Sequence, residues 1–204
     1  LNRKYKKLVE DNDDISRNVN WKLTNFEFDN LFNYGEGNNV GFDKLNGITG
    51  VFGKNFSGKS SIIDAVLWTL FNTTSKNERK NLNVINQNRD SARGKLTIDV
   101  GHYTYTVERT AEKYTKRLKG EETIEAKTDL NFEVYDNVAN ETTSLNGLSR
   151  IHTDSNIRKH FGACEDFLIS SMSAQHGALA FIDEGSTRRK EIIAKFLDLE
   201  IFEK

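Results

Sequence analysis

Apolar residues in the first third of the chain fall in short runs separated by clusters of glycine and asparagine. Trp21, Leu23, Phe26 and Phe28 predict a first strand, and Asn33-Tyr34-Gly35-Glu36-Gly37-Asn38-Asn39 predicts a turn. Val40, Phe42 and Leu45 predict a second strand paired with the first. Gly47-Ile48-Thr49-Gly50-Val51-Phe52 reads as a short apolar strand entering a glycine-bounded loop. Beyond that loop Ile62, Ile63, Val66, Leu67, Leu70 and Phe71 recur at helical spacing and predict a helix over 59–72. In the next hundred residues the segments 95–100, 102–108 and 130–135 alternate apolar with polar side chains. That is the pattern of half-exposed antiparallel strands, and it predicts a β-meander. Segments 155–161 and 164–171 read as helical and 173–185 as loop. Helical period returns over 187–202, where Ile192, Ile193, Phe196, Leu197 and Ile201 form one stripe. Residues 1–18 carry too few apolar positions for a buried face and read as a linker or leader helix.

Composition narrows the classes. A length of 204 residues suits one sizeable domain or a piece of one. One cysteine, Cys164, excludes a disulfide framework, and the four histidines lack ligand spacing, so a Cys/His metal centre is not expected. No apolar run approaches the roughly 20 residues a bilayer requires, and no signal-peptide pattern opens the chain. The expectation is an intracellular protein without a membrane partner, cytoplasmic or nucleoid-associated. Because the sole methionine is Met172 and the chain begins at Leu1, a longer polypeptide is expected around it. With 29 basic and 30 acidic residues, contact with nucleic acid must come from a local stripe. Arg109, Lys113, Lys116, Arg117 and Lys119, with Tyr103, Tyr105 and Tyr114 among them, are the candidate. Glu108, Glu112, Glu121 and Glu122 dilute it, and a solvated hairpin face is the alternative.

Gly53-Lys54-Asn55-Phe56-Ser57-Gly58-Lys59-Ser60 has the spacing G-x-x-x-x-G-K-S between a predicted strand and a predicted helix. Gly53 and Gly58 permit a backbone that a Cβ would block, so that successive N–H groups curl around a phosphate at the positive end of a helix. Lys59 would reach the β- and γ-phosphates, and the Ser60 hydroxyl would ligate Mg²⁺, with Ser61 closing the cradle. A triphosphatase also needs a carboxylate to organise the metal's water and activate the attacking water. By eye Ala178-Leu179-Ala180-Phe181-Ile182-Asp183-Glu184 supplies one. It leads within a few residues into an amphipathic helix and lacks β-branched content, which argues against a buried parallel strand.

These residues carry a resemblance. Residues 21–72, with Asn25-Phe26, Asn33-Tyr34-Gly35-Glu36, Phe42, Leu45-Asn46-Gly47-Ile48 and the loop Gly53 to Ser60, resemble the N-terminal lobe of the ABC-type, SMC-like coiled-coil ATPases of DNA double-strand-break repair. The wording is most similar to bacteriophage recombination-endonuclease subunits. The resemblance implies an α/β fold, an ABC-ATPase N-terminal lobe with a helix leading to a coiled coil. Its expected divisions are 1–20 as linker, 21–186 as the lobe and 187–204 as the start of the coiled-coil helix. It also implies ATP and Mg²⁺ as cofactors, and ATP hydrolysis completed by a C-terminal lobe of the same ATPase and by a second head of a homodimer. The implied partners are a metal-dependent nuclease, as a subunit or as a domain fused upstream, and double-stranded DNA bound without regard to sequence. Ser170-Ser171-Met172-Ser173-Ala174-Gln175-His176-Gly177 resembles the family's glutamine loop. There Gln175 would touch Mg²⁺ and the attacking water, while Asp183 and Glu184 become a loop before the outgoing helix. Where the family carries a basic and a small polar residue after the Asn-Phe pair, this chain has Glu27-Phe28, which leaves the adenine and ribose contacts open. Two other readings stand beside this one: a self-contained P-loop NTPase or kinase using Asp183 and Glu184, and a non-catalytic nucleotide-sensing scaffold.

Overall fold

The computed structural model describes residues 21–75, 81–118 and 121–164, with further positions at 167–168, 185–187, 189–190 and 193. Two compact units divide the chain: one spans 18–158, and the other takes the described positions from 159 onward. In the first, six strands form one sheet: β1 (Lys22–Asp29), β2 (Asn38–Gly41), β3 (Ser91–Val100), β4 (Tyr103–Leu118), β5 (Glu121–Asp136) and β6 (Glu141–Ser144). Their order across the sheet is β2-β1-β3-β4-β5-β6, every neighbouring pair antiparallel. Among the described residues two α-helices accompany them, α1 (Ser61–Phe71) and α2 (Arg150–Phe161), the latter within this unit through Arg158.

Period-2 alternation sets one face of this sheet. Phe26 and Phe28 of β1, Leu96 and Ile98 of β3, Val107 of β4 and Phe132 of β5 are buried, while the residues between them are at least partly exposed. Helix α1 lies against β3 and β4 and is buried from Ala65 to Phe71. It is apolar around most of its circumference, as an enclosed helix must be. Trp68 is fully buried and still satisfies its indole N–H, which donates to Asn81 Oδ1 at 3.0 Å. The helix ends at Asn72, which takes the left-handed conformation (φ 55°) and donates its N–H to the Trp68 carbonyl at 2.9 Å. Close approach to the sheet depends on Gly94 in β3. A Cβ built there would fall far inside van der Waals distance of Thr69 Oγ1, and 3.2 Å and 3.3 Å from Thr69 Cβ and Cγ2.

The meander is as the alternation predicts, but longer. β4 and β5 run 16 residues each, and β6 follows. Their outer halves extend beyond the end of β3 at Ser91, opposite Glu112, and there form a two-stranded ribbon. The ribbon buries little and is tied by side chains: Lys127 to Glu112 at 2.9 Å, Tyr114 Oη donating to Glu125 at 2.8 Å, and Arg117 to Glu122 at 2.5 Å. Val40 lies in β2 as expected, whereas Phe42–Lys44 forms a 3₁₀ turn instead of continuing the strand. The expected strand at 47–52 is not formed. Ile48, Val51 and Phe52 are 104%, 61% and 94% exposed, and the segment makes no ladder with the described sheet. A strand needs a neighbour's N–H and C=O groups, and none of the described residues offers them here. Helix α2 starts at Arg150, five residues earlier than the periodicity suggests, because Ser149 caps it: Oγ accepts from His152 N–H and the carbonyl from Thr153 N–H.

Among the described residues no helix is long and apolar enough to cross a membrane.

Candidate functional site

The loop Gly53–Ser60 joins the exposed 47–52 segment to α1, and its shape follows from its glycines. Gly58 has φ +91°, and a Cβ at Gly53 would come within 2.8 Å of Ser57 Oγ. Phe56 also stands at positive φ (62°) with its ring 98% exposed, an uncommon conformation for a bulky side chain. Two internal turns set the path: Ser57 N–H donates to the Lys54 carbonyl at 3.3 Å and Ser61 N–H to the Gly58 carbonyl at 3.0 Å. The Lys59 ammonium curls back over the loop and donates to the carbonyls of Gly53 (2.9 Å) and Lys54 (2.7 Å). Ser60 already has helical angles (φ −70°, ψ −23°), is exposed, and its hydroxyl makes no capping bond to α1. Gly53, Lys54, Asn55, Phe56, Ser57, Gly58, Lys59, Ser60 and Ser61 are thus brought together at the amino end of a buried helix, where partial positive charge and a cation face solvent. Ser60 Oγ is a hard oxygen donor left uncommitted by the helix cap, which fits a Mg²⁺ ligand.

Two residues from the turn after β1 hold this loop. Tyr34 Oη donates to the Gly58 carbonyl at 3.0 Å, and Asn33 Nδ2 donates to the Phe56 carbonyl at 3.4 Å. The Tyr34 ring stands edge-on to Phe28 (centroids 5.0 Å), which stacks on Phe26 (4.7 Å), so the clamp is anchored in the core. Burial raises the Tyr34 phenol above its ordinary value and keeps it a donor. Left-handed Asn30 (φ 55°) and Phe32 (φ 53°) bend the chain there, and Asn86 Nδ2 pins the Tyr34 carbonyl at 3.0 Å. Glu27 and Phe28, the positions aligned by the resemblance, lie within β1; the residues that reach the loop are Asn33 and Tyr34. The visible signal was an aromatic ring inside a run of small turn formers, read by its neighbours as a turn alone.

Gln175, Asp183 and Glu184 lie outside the described residues, as does Lys119. The described members of the basic stripe do not make a free cationic surface. Arg109 is fully buried and bonded to Asp154 (2.6 Å) and to two carbonyls of α1, which corrects its placement on a solvated face. Alternation explains the error: with Tyr105 and Val107 inward, Arg109 points inward too. Lys113 Nζ donates to the carbonyls of Asn86 and Gln87 at 3.2 Å each, while Lys116 pairs with Glu125 (3.0 Å) and Arg117 with Glu122. The Glu125 carboxyl is held below its usual range by Tyr114 and then Lys116, so this end of the ribbon is a neutralised lattice of pairs.

A family model described as AAA domain (AAA_23) matches residues 22–204. An uncharacterized protein of Acanthamoeba polyphaga mimivirus is 28% identical over 204 residues, covering 97% of this chain and 14% of that protein. The chain therefore spans about one-seventh of the length of this relative. Solved structures with similarity include the recombination mediator protein RecF with ATP (TM-score 0.41, 14% identity, 64% of this chain and 29% of that one). Another is RecF with ATPrS (TM-score 0.43, 16% identity, 79% and 38%). With the family match covering the phosphate loop, the sheet and both helices, the chain belongs to the AAA domain family.

Proposed function

We propose that this chain is the ATP-binding half of an ABC-type ATPase head that works with a nuclease in DNA double-strand-break repair and recombination. The observation that carries the reading is the clamped loop Gly53–Ser60 at the amino end of α1, with Lys59 and the Ser60 hydroxyl both at its mouth. Backbone N–H groups of the loop would bind the phosphates, and Lys59 would exchange the carbonyls of Gly53 and Lys54 for β- and γ-phosphate oxygens. Ser60, together with Gln175, would hold Mg²⁺. The ion, when bound, neutralises charge on the phosphate oxygens as the terminal phosphoryl group leaves.

Two features support a site completed by further polypeptide. First, Ile48, Val51 and Phe52 lead into the loop as an apolar segment with no sheet partner among the described residues. Packing of this segment against strands of a C-terminal lobe would bury those side chains and pair their backbone. Second, the carboxylate in the first turn of α1, Asp64, accepts from Ser75 N–H at 2.7 Å and is committed to that contact. The sequence resemblance assigns the general base to the downstream half, and the second head, the nuclease and double-stranded DNA belong to the same reading.

The expected result is that the 204-residue chain binds ATP–Mg²⁺ without turning it over, and that hydrolysis appears when the downstream polypeptide is supplied. Steady turnover by the 204-residue chain, lost on Asp183→Asn, would replace this reading with a self-contained NTPase.

A further inference from the structure

Among the described residues Arg109 is the largest charged side chain that is fully buried. Its Nε donates to the Thr69 carbonyl at 3.0 Å and one Nη to the Leu70 carbonyl at 3.3 Å. The same Nη donates to Asp154 Oδ1 on α2 at 2.6 Å. The guanidinium is 0% exposed and the Asp154 side chain 15%. Burial pulls the Arg109 pKa below its ordinary value and Asp154 pulls it back up. A buried ion pair of this kind is a poor source of stability, because desolvation consumes what the Coulomb attraction returns.

At the carboxyl end of α1, left-handed Asn72 takes only the Trp68 carbonyl with its N–H, and Arg109 caps the next two, those of Thr69 and Leu70. Beyond that cap, its planar fork reaches α2 through Asp154. The fork is also incompletely used: its second Nη has no hydrogen-bond partner among the described residues although it is buried. An unsatisfied buried donor costs free energy, so a shift of Asp154 or of an α1 carbonyl that met it would recover part of that cost. The two ends of α1 are joined rigidly. Eleven residues make a rod about 16 Å long, with the phosphate loop at one end and Arg109 at the other.

We propose that Arg109 is a positioning residue that passes the nucleotide state of the phosphate loop, through α1, to Asp154 and the first three turns of α2. The inference rests on the ATP site proposed above. Phosphate contacts at Lys59 and Ser60 draw on the amino end of α1, the rod shifts the Thr69 and Leu70 carbonyls, and the fork re-aims Asp154. A substitution at Asp154 that uncouples α2 leaves the phosphate contacts themselves in place, while by linkage the ATP affinity changes by the coupling factor that α2 had contributed.

Hydrogen exchange on the full-length protein with and without ATP–Mg²⁺ tests this. In the wild type, ATP is expected to slow exchange both in 61–71 and in 150–158, by about five-fold or more at each. Asp154→Asn keeps the size and an acceptor but removes the charge. It is expected to retain the ATP effect at 61–71 and to reduce the effect at 150–158 to within about two-fold; Asp154→Glu is expected to restore it. A merely structural pair would speed exchange at 150–158 equally with and without ATP. An unchanged ATP-to-apo ratio in Asp154→Asn therefore overturns the inference and leaves the ATP site standing. No ATP effect at 61–71 in the wild type overturns the ATP site, and the inference with it. Failure of Asp154→Asn to fold would make the pair a staple of the fold and overturn the inference equally.

Discussion

Gly94→Ala tests the seat of the phosphate-loop helix. The added methyl would overlap Thr69 Oγ1 and stand 3.2 Å and 3.3 Å from Thr69 Cβ and Cγ2. Two responses are open. Thr69 can rotate, losing its bond to the Ala65 carbonyl (2.8 Å) at about 1 kcal/mol and taking a poorer rotamer at about 1 kcal/mol more. Alternatively α1 can lift from β3, which forfeits close packing beneath Ala65–Phe71 at about 1–3 kcal/mol. Against either, alanine in a strand gains roughly 0.5–1 kcal/mol over glycine in chain entropy. The net expectation is a loss of about 1–2 kcal/mol, read as a lowered midpoint in equilibrium urea unfolding with unchanged slope. Because Thr69 is the obstacle, Gly94→Ala combined with Thr69→Ala is expected to be less destabilised than the two single changes summed, by about 1 kcal/mol. A neutral or stabilising Gly94→Ala, or strictly additive single changes, would show that the helix does not rest on Gly94 and would refute the packing argument.

Tyr34→Phe removes the bond to the Gly58 carbonyl but leaves the ring on Phe28. It is expected to weaken ATP binding about five-fold, from about 1 kcal/mol of lost loop order, with almost no change in melting temperature; an equal affinity would remove Tyr34 from the site. The Asp136 carboxyl accepts N–H bonds from Ala139 (3.1 Å) and Val138 (2.8 Å), which hold its pKa below the ordinary 3.8. A carboxyl depressed in the folded state stabilises above its unfolded value and loses that contribution as pH falls through the folded one. Ordering of the turn between β5 and β6 should therefore persist at pH 4 and loosen only well below it. An NMR titration placing Asp136 at or above 3.8 would contradict this. Phe56→Gly should raise the stability of the 204-residue chain by about 0.5–1 kcal/mol, relief of the left-handed backbone less the chain entropy of glycine, as read by thermal melting; a fall in melting temperature would show that the left-handed backbone at Phe56 is not the dominant cost.

What the sequence made legible was whatever obeys a local rule. Alternation located β3, β4 and β5 because one face of the sheet is buried, and the glycine spacing located the phosphate loop because a tight backbone admits little else at positions 53 and 58. Alternation did not reveal the ribbon formed by the outer halves of β4 and β5, because both of its faces are exposed; it was legible only as the solvated hairpin face weighed against the basic stripe. Cross-strand pairs such as Tyr114 with Glu125 and Arg117 with Glu122 leave no hydrophobic period to read. Residues 47–52 show the opposite failure: an apolar run was present, but a strand exists only with a neighbour, and among the described residues it has none. Arg109 looked like surface charge because its partners, Thr69, Leu70 and Asp154, are some forty residues away in either direction. Asn33 and Tyr34 were visible as turn formers, but their contact with a loop 23 and 24 residues onward was not.

On the reading proposed above, Lys59 and the amides around it grip a triphosphate. Isothermal titration of ATP–Mg²⁺ into the full-length protein and its Lys59→Ala variant is the decisive experiment. Saturable binding is expected in the wild type, with an affinity at least about 30-fold weaker in the variant, the equivalent of about 2 kcal/mol of charge-assisted bonding. Equal affinities, or no heat of binding in the wild type, would contradict it.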